Sequence, residues 1–172
     1  MRRGGIVAGL LLAALVALTG CGSTFPADPE GTLAKATGGT LRVGATINGD
    51  WVRISAPASG ELRSGELPGS DVQGREAELV KGFAAQLGAD IEWVAGTEQV
   101  LTEELKHGGL DLVIGGLDDK TPWATHAGLT RPYAESRDER GNLHKHVLLV
   151  PLGENAFLLE LDKFLMAAKE AQ

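Results

Sequence analysis

Leu105-Lys106-His107-Gly108-Gly109-Leu110-Asp111-Leu112-Val113-Ile114 is the stretch that decides the fold class of this chain. A helix runs into two glycines, and the chain then enters a run in which every residue but Asp111 is apolar. A strand with one wet face alternates, whereas a nearly unbroken apolar strand needs cover on both faces, as in the parallel sheets of α/β proteins. Upstream, Thr97 can cap that helix through Val100, Leu101 and Leu105, and Ile91 to Val94 reads as a short strand. Before it, Ala77, Val80, Phe83, Ala84 and Leu87 recur at helical spacing. That helix begins near Asp71 or Gly74, carries Glu76 and Glu78 where negative charge suits the helix dipole, and stops at Gly88. Thr40 to Ile47 is the first strand.

This β-α-β-α-β order favours a parallel sheet with right-handed crossovers. Asn48 to Gln73, rich in Gly, Ser and Pro, is a long functional or mobile loop. Downstream, Ala127 to Tyr133 is a short extended segment and Lys145 to Val150 a strand. Phe157, Leu158, Leu161, Phe164, Leu165 and Ala168 then form the stripe of a last helix. The expected fold is a single three-layer α/β lobe with a mostly parallel sheet, spanning residues 40–172.

The N-terminus has a different character. Arg2 and Arg3 precede an uncharged apolar run from Ile6 to Leu18, shorter than the ~20 residues a membrane-spanning helix needs. It ends in Leu18-Thr19-Gly20-Cys21, and Cys21 is the single cysteine of the chain. This resembles the lipobox of bacterial lipoproteins, which implies a signal peptide over residues 1–20, acylation of the Cys21 thiol, and a cell-membrane, extracytoplasmic location. Residues 21–39, rich in Gly, Pro, Thr and Ala, read as the lipidated cysteine and a flexible tether. The net charge of −7 becomes more negative once both arginines are removed, so the surface repels nucleic acid and anionic lipid.

Five segments together resemble family 3 extracellular solute-binding proteins, the receptors of ABC importers for polar amino acids and related solutes. They are Leu41-Arg42-Val43-Gly44, Gly74-Arg75-Glu76-Ala77-Glu78-Leu79, Leu87-Gly88-Ala89-Asp90-Ile91-Glu92, Leu105 to Val113, and Leu129-Thr130-Arg131-Pro132-Tyr133. Members have two lobes that close on a ligand. Here only Ala134 to Asn142 separates Tyr133 from what reads as the returning segment, so the resemblance implies lobe one alone, closed by a polar turn. Amino-acid receptors of the family carry an arginine seven residues before the serine of the last motif, for the ligand carboxylate. That position is Trp123, which has one N–H donor and no charge; Arg131, Arg53 and Lys120 are the candidates to substitute.

In an open α/β sheet ligands bind beyond the C-terminal strand ends. The segments meeting there offer Trp51 and Trp123 as flat walls with Asp118, Asp119, Thr121, Thr130 and Arg131 as polar groups, a setting for a small polar or cationic solute. In the other reading the two tryptophans plug the surface that a second lobe would cover. Gly115-Gly116 reads as a tight turn rather than a phosphate cradle, since no P-loop or paired-glycine fingerprint follows. Adjacent Asp118-Asp119 lacks further metal ligands, and His144 and His146 read as an exposed strand end rather than a metal pair, so no metal or cofactor is expected. No nucleophile elbow occurs, and an open lobe excludes water poorly, so the chain is read as a non-enzyme. Expected partners are a small polar solute, an ABC permease or a second chain supplying the missing lobe, and the membrane through the lipid. A homodimer through the Trp123 face would mark the alternative, a protein-docking module without solute.

Overall fold

A computed structural model describes residues 26–55, 65–67 and 72–171. The expected signal peptide and the expected acylation site at Cys21 lie outside the described residues. No described helix is long and apolar enough to cross a membrane. The elements in chain order are α1 (Thr32–Ala36), β1 (Thr40–Ala45), β2 (Arg53–Ile54), β3 (Gly65–Leu67), β4 (Val72–Gln73), α2 (Arg75–Leu87) and β5 (Asp90–Ala95). They continue with α3 (Glu98–Lys106), β6 (Leu112–Ile114), a 3-10 turn (Pro122–Thr125), β7 (Gly128–Leu129), β8 (Ala134–Arg137), β9 (Leu143–His146), β10 (Leu149–Val150) and α4 (Asn155–Glu170).

The main sheet runs β3-β5-β1-β6-β10-β7. Its centre is parallel: β1 lies between β5, with Val43 opposite Trp93, and β6, with Val43 opposite Leu112. The flanking strands β3, β10 and β7 join antiparallel. Alternation along β1 and β6 sorts the core into two layers. Leu41, Val43, Ala45, Leu112 and Ile114 pack with Val80, Phe83, Phe157 and Leu161 from α2 and α4. On the other face Val113 packs with Leu101 and Leu105 of α3. Gly44 faces the same way, and a Cβ there would sit 2.7 Å from Leu110 and 3.1 Å from Leu101, so its lack of a side chain sets how closely α3 approaches. Helix α2 ends on Gly88 in the left-handed region at φ 65, and Thr97 caps α3 by accepting from the Val100 N–H.

Several boundaries differ from the sequence reading: the first strand ends at Ala45 rather than Ile47, and the expected loop Asn48 to Gln73 carries β2, β3 and β4. The strand expected over Leu110 to Ile114 starts at Leu112, because Asp111 turns its carboxylate onto Arg42, accepting from its backbone N–H at 2.9 Å and from Nη2 at 2.5 Å. The strand expected over Lys145 to Val150 is two strands. Residues up to His146 pair with β8 in a separate hairpin, while Leu149 and Val150 enter the main sheet. The polar stretch after Tyr133 therefore begins as strand β8, and the turn that follows is tied by Asp138, which accepts from the N–H groups of Arg140 and Asn142. Within the expected tether, Thr32–Ala36 is a helix with Ala36 fully buried. Its start is held by Glu154, which accepts from the Glu30 and Thr32 N–H groups at 2.9 Å each. That capping carboxylate comes from more than 120 positions away, where local periodicity carries no trace of it.

Candidate functional site

Beyond the C-terminal ends of β1 and β6 the chain turns at Asn48 and at Gly115-Gly116. Asn48 Nδ2 donates to the Gly115 carbonyl at 2.7 Å, which joins the two turns. Beneath them lies Glu76, fully buried in the first turn of α2. Its Oε2 accepts from the Gly115 and Gly116 N–H groups at 2.7 and 2.9 Å, and its Oε1 accepts from the Tyr133 hydroxyl. Burial pushes the Glu76 carboxyl above its usual range, opposed by the bonds from Tyr133 and both glycines. Burial and the adjacent carboxylate push the Tyr133 phenol up, so it stays a donor. Both glycine N–H groups are thus engaged from below, which leaves no phosphate cradle. Gly116 sits at φ 65, and a Cβ there would fall 2.8 Å from Asn48 Nδ2 and from Trp51.

Trp51 is half-buried rather than an open wall. His146 stacks on it with ring centroids 3.8 Å apart, the Arg75 guanidinium lies 4.6 Å from its centroid, and Tyr133 meets it edge-on at 6.3 Å. His146 is 4% exposed, and its Nδ1 lies 3.1 Å from the Gly116 carbonyl. A carbonyl only accepts, so Nδ1 carries the proton and Nε2 takes the Ser136 hydroxyl at 2.7 Å. Burial holds the His146 pKa below its ordinary value. The reading of both histidines as an exposed strand end therefore fails for His146. His144 leans outward onto Asp118, 2.7 Å from Nδ1 to Oδ2, with Asp138 at 3.7 Å from Nε2. The bond to Asp118 raises the His144 pKa, and the same bond lowers that of Asp118. Among the described residues no group of three His, Cys, Asp or Glu side chains is placed to hold a metal.

The other residues singled out from the sequence are distributed as follows. Asp119 is exposed, and its N–H donates to the Lys145 carbonyl, stitching the hairpin to the turn. Thr121 accepts from the Trp123 N–H and caps the 3-10 turn. Trp123 donates its indole N–H to Glu98 at 3.0 Å and packs beside the α3 layer. The Thr130 hydroxyl accepts from the Leu148 N–H at 2.9 Å. Arg131 donates to Asp162 from its backbone N–H at 2.8 Å and from Nε at 3.3 Å. Trp51 thus meets His146, Asp118 meets His144 and Trp123 meets Glu98, while Thr130 is engaged with Leu148 beside β10 and Arg131 with α4. Sequence reasoning missed Glu76 and Arg75. Glu76 resembled any acid in a first helical turn, and only its burial beneath two glycines distinguishes it.

The fold is that of a single domain of a type II periplasmic binding protein. The chain is similar to a point mutant of domain 1 from TmArgBP, the ArgBP of T. maritima, in its arginine-bound form (17% identity, 81% of this chain, 98% of that chain, TM-score 0.63). It is also similar to a periplasmic binding protein of Salmonella typhimurium with high arginine specificity (10% identity, 76% of this chain, 93% of that chain, TM-score 0.59). A third neighbour is an ancestral cyclohexadienyl dehydratase (15% identity, 86% of this chain, 93% of that chain, TM-score 0.62), so the same fold also serves an enzyme. No protein-family model and no curated protein sequence matches the chain.

Proposed function

We propose that this chain is a lipid-anchored, extracytoplasmic solute-binding module that holds a small polar, cationic solute on its strand-end face without catalysis. The observation that carries the reading is that a neighbour consisting of one such domain, domain 1 from TmArgBP, is solved in an arginine-bound form. A second lobe is therefore not a requirement for solute binding in this fold. The chemistry of the face agrees. Glu98 sets its carboxylate on the Trp123 indole N–H, Asp118 and Asp119 add carboxylates in the turn that leads to Trp123, and the chain carries a net charge of −7. Cys21 supplies the acyl anchor, and the partner is an ABC permease that receives the solute or a second chain that supplies the missing lobe.

A second reading, a protein-docking module that no longer binds solute, is favoured by one observation: His146 covers a face of Trp51 at 3.8 Å. One experiment separates the two. The buried core runs from Thr32 to Leu165, so the chain from residue 21 with Cys21→Ser keeps it whole. Its thermal midpoint is measured against basic amino acids, polyamines, organic acids and sugars. A ligand at 100 times its Kd adds ~2.7 kcal/mol, roughly 5–10 °C for a domain of this size. The solute reading expects such a shift with cations, lost in Trp123→Ala and Asp118→Asn. A flat response from cooperatively melting protein supports docking instead. Metabolic labelling of the full chain with an alkyne fatty acid, lost in Cys21→Ser, tests the anchor.

A further inference from the structure

Two of the cations singled out from the sequence are committed to acids. Arg131 binds Asp162 and Arg53 binds Asp50 at 3.1 Å. Two other cations meet at a cavity of about 400 Å³, between the first turns of α2, the last turns of α4 and the start of β8. They are Arg75 and Lys169, and the walls between them are Leu79, Phe164 and Leu165.

We propose that this cavity binds a small amphipathic monocarboxylate, its carboxylate on Arg75 and Lys169 and its apolar body against Leu79, Phe164 and Leu165. This site is separate from the strand-end face and does not rest on that reading.

Charge is the first argument. Two cations line the cavity against one acid, Glu78, and Glu78 already pairs with Lys81 at 2.9 Å. In a chain of net charge −7 such a locally positive cavity is not a sample of the average surface. Preorganisation is the second. The Arg75 guanidinium is held 4.6 Å from the Trp51 centroid, and a stacked guanidinium keeps its edge donors for a carboxylate. Lys169 has no ion-pair partner among the described residues and adds a mobile point charge from the opposite wall. Shape and polarity are the third. The volume lies in the range of small-molecule sites, and the walls are mainly apolar, with Leu165 1% exposed. A sugar would waste the two cations and inorganic phosphate would waste the walls. A dicarboxylate would bring its second charge toward Glu78.

The probe is phenylacetate, with the neutral phenylacetamide as its isostere, titrated into the ¹⁵N-labelled chain from residue 21 carrying Cys21→Ser. The expected result is saturable amide shifts at Leu79, Phe164 and Lys169, with phenylacetamide at least tenfold weaker. Lys169→Glu, at an exposed position in the last turn of α4, should weaken phenylacetate at least tenfold while the thermal midpoint holds; Arg75→Gln should weaken it as well, with a lower midpoint because Arg75 also packs on Trp51. Equal affinity for acid and amide, shifts centred on other residues, or an unchanged affinity in Lys169→Glu would each overturn the proposal. The strand-end reading fails separately. Its cation titrations report on amides of the Gly115 to Trp123 turn, so a flat cation panel beside a saturable phenylacetate curve refutes that reading and keeps this one.

Discussion

Glu76→Ala should be among the most damaging single substitutions in the chain, although the sequence marks the residue as an ordinary first-turn acid. The wild-type carboxylate is fully buried and satisfies three donors: the Gly115 and Gly116 N–H groups and the Tyr133 hydroxyl. A buried donor left without a partner costs about 1–3 kcal/mol. Discounting the half-buried Gly116 bond, the loss is about 4 kcal/mol, a large part of the ~5–15 kcal/mol that holds a domain together. At roughly 2–4 °C per kcal/mol the midpoint should fall by about 8–16 °C. Glu76→Gln isolates the acceptor from the charge. Its carbonyl can still take both glycine N–H groups while the Tyr133 hydroxyl turns to accept from the new amide, so the expected cost is only about 1 kcal/mol.

The pH dependence has a definite sign. Burial raises the Glu76 pKa in the folded state, so folding favours its protonated form. The advantage of wild type over Glu76→Gln is then greatest below the ordinary carboxyl pKa of ~4.3 and shrinks as pH rises through the raised value. Urea and thermal unfolding of wild type and both variants at several pH values measure all of this. An alanine variant within 1 kcal/mol of wild type, or glutamine as costly as alanine, would refute the view that this residue acts as the common acceptor under the turn.

The remaining predictions concern the same end of the sheet. For His144, whose pKa is raised by Asp118, the ion pair's contribution is present below the ordinary imidazole value of ~6.5 and lost as pH rises through the raised one. For Asp118, whose pKa is lowered, it is lost only as pH falls through the depressed carboxylate value. Amide exchange in the β8–β9 hairpin should therefore differ most between wild type and His144→Asn between about pH 4 and 6.5, and the difference should close as pH rises through the raised His144 value. A gap that widens toward alkaline pH would remove the ion pair from the account. Gly116→Ala forces a side chain into the left-handed region against Asn48 and Trp51, and should cost about 3 kcal/mol with a shift in tryptophan fluorescence. An unperturbed emission spectrum would mean that Trp51 does not pack there.

Much of the scaffold was legible because the faces of its elements are written in local periodicity. The all-apolar Leu112 to Ile114 reads as a strand covered on both sides, and the stripes of Ala77 to Leu87 and Phe157 to Ala168 read as helices over one core. Legibility failed where a polar group answers a distant backbone. Glu154 caps α1 across the whole domain, and Thr130, read as a ligand group, spends its hydroxyl on the Leu148 N–H. The expected single strand through Val150 breaks because Val147 turns its N–H to the Leu117 carbonyl, a choice that its own apolar neighbours do not encode.

The sequence by itself determined the β-α-β-α-β order and the parallel centre of the sheet. Burial of apolar surface is non-directional, so the spacing of apolar residues along the chain suffices to assign faces. Only the tertiary structure decided which polar side chains are consumed inside the molecule and which remain for a ligand. A hydrogen bond requires a partner at one distance and one angle, and for Glu76, His146 and Arg131 that partner comes from a remote part of the chain or from another element packed against it.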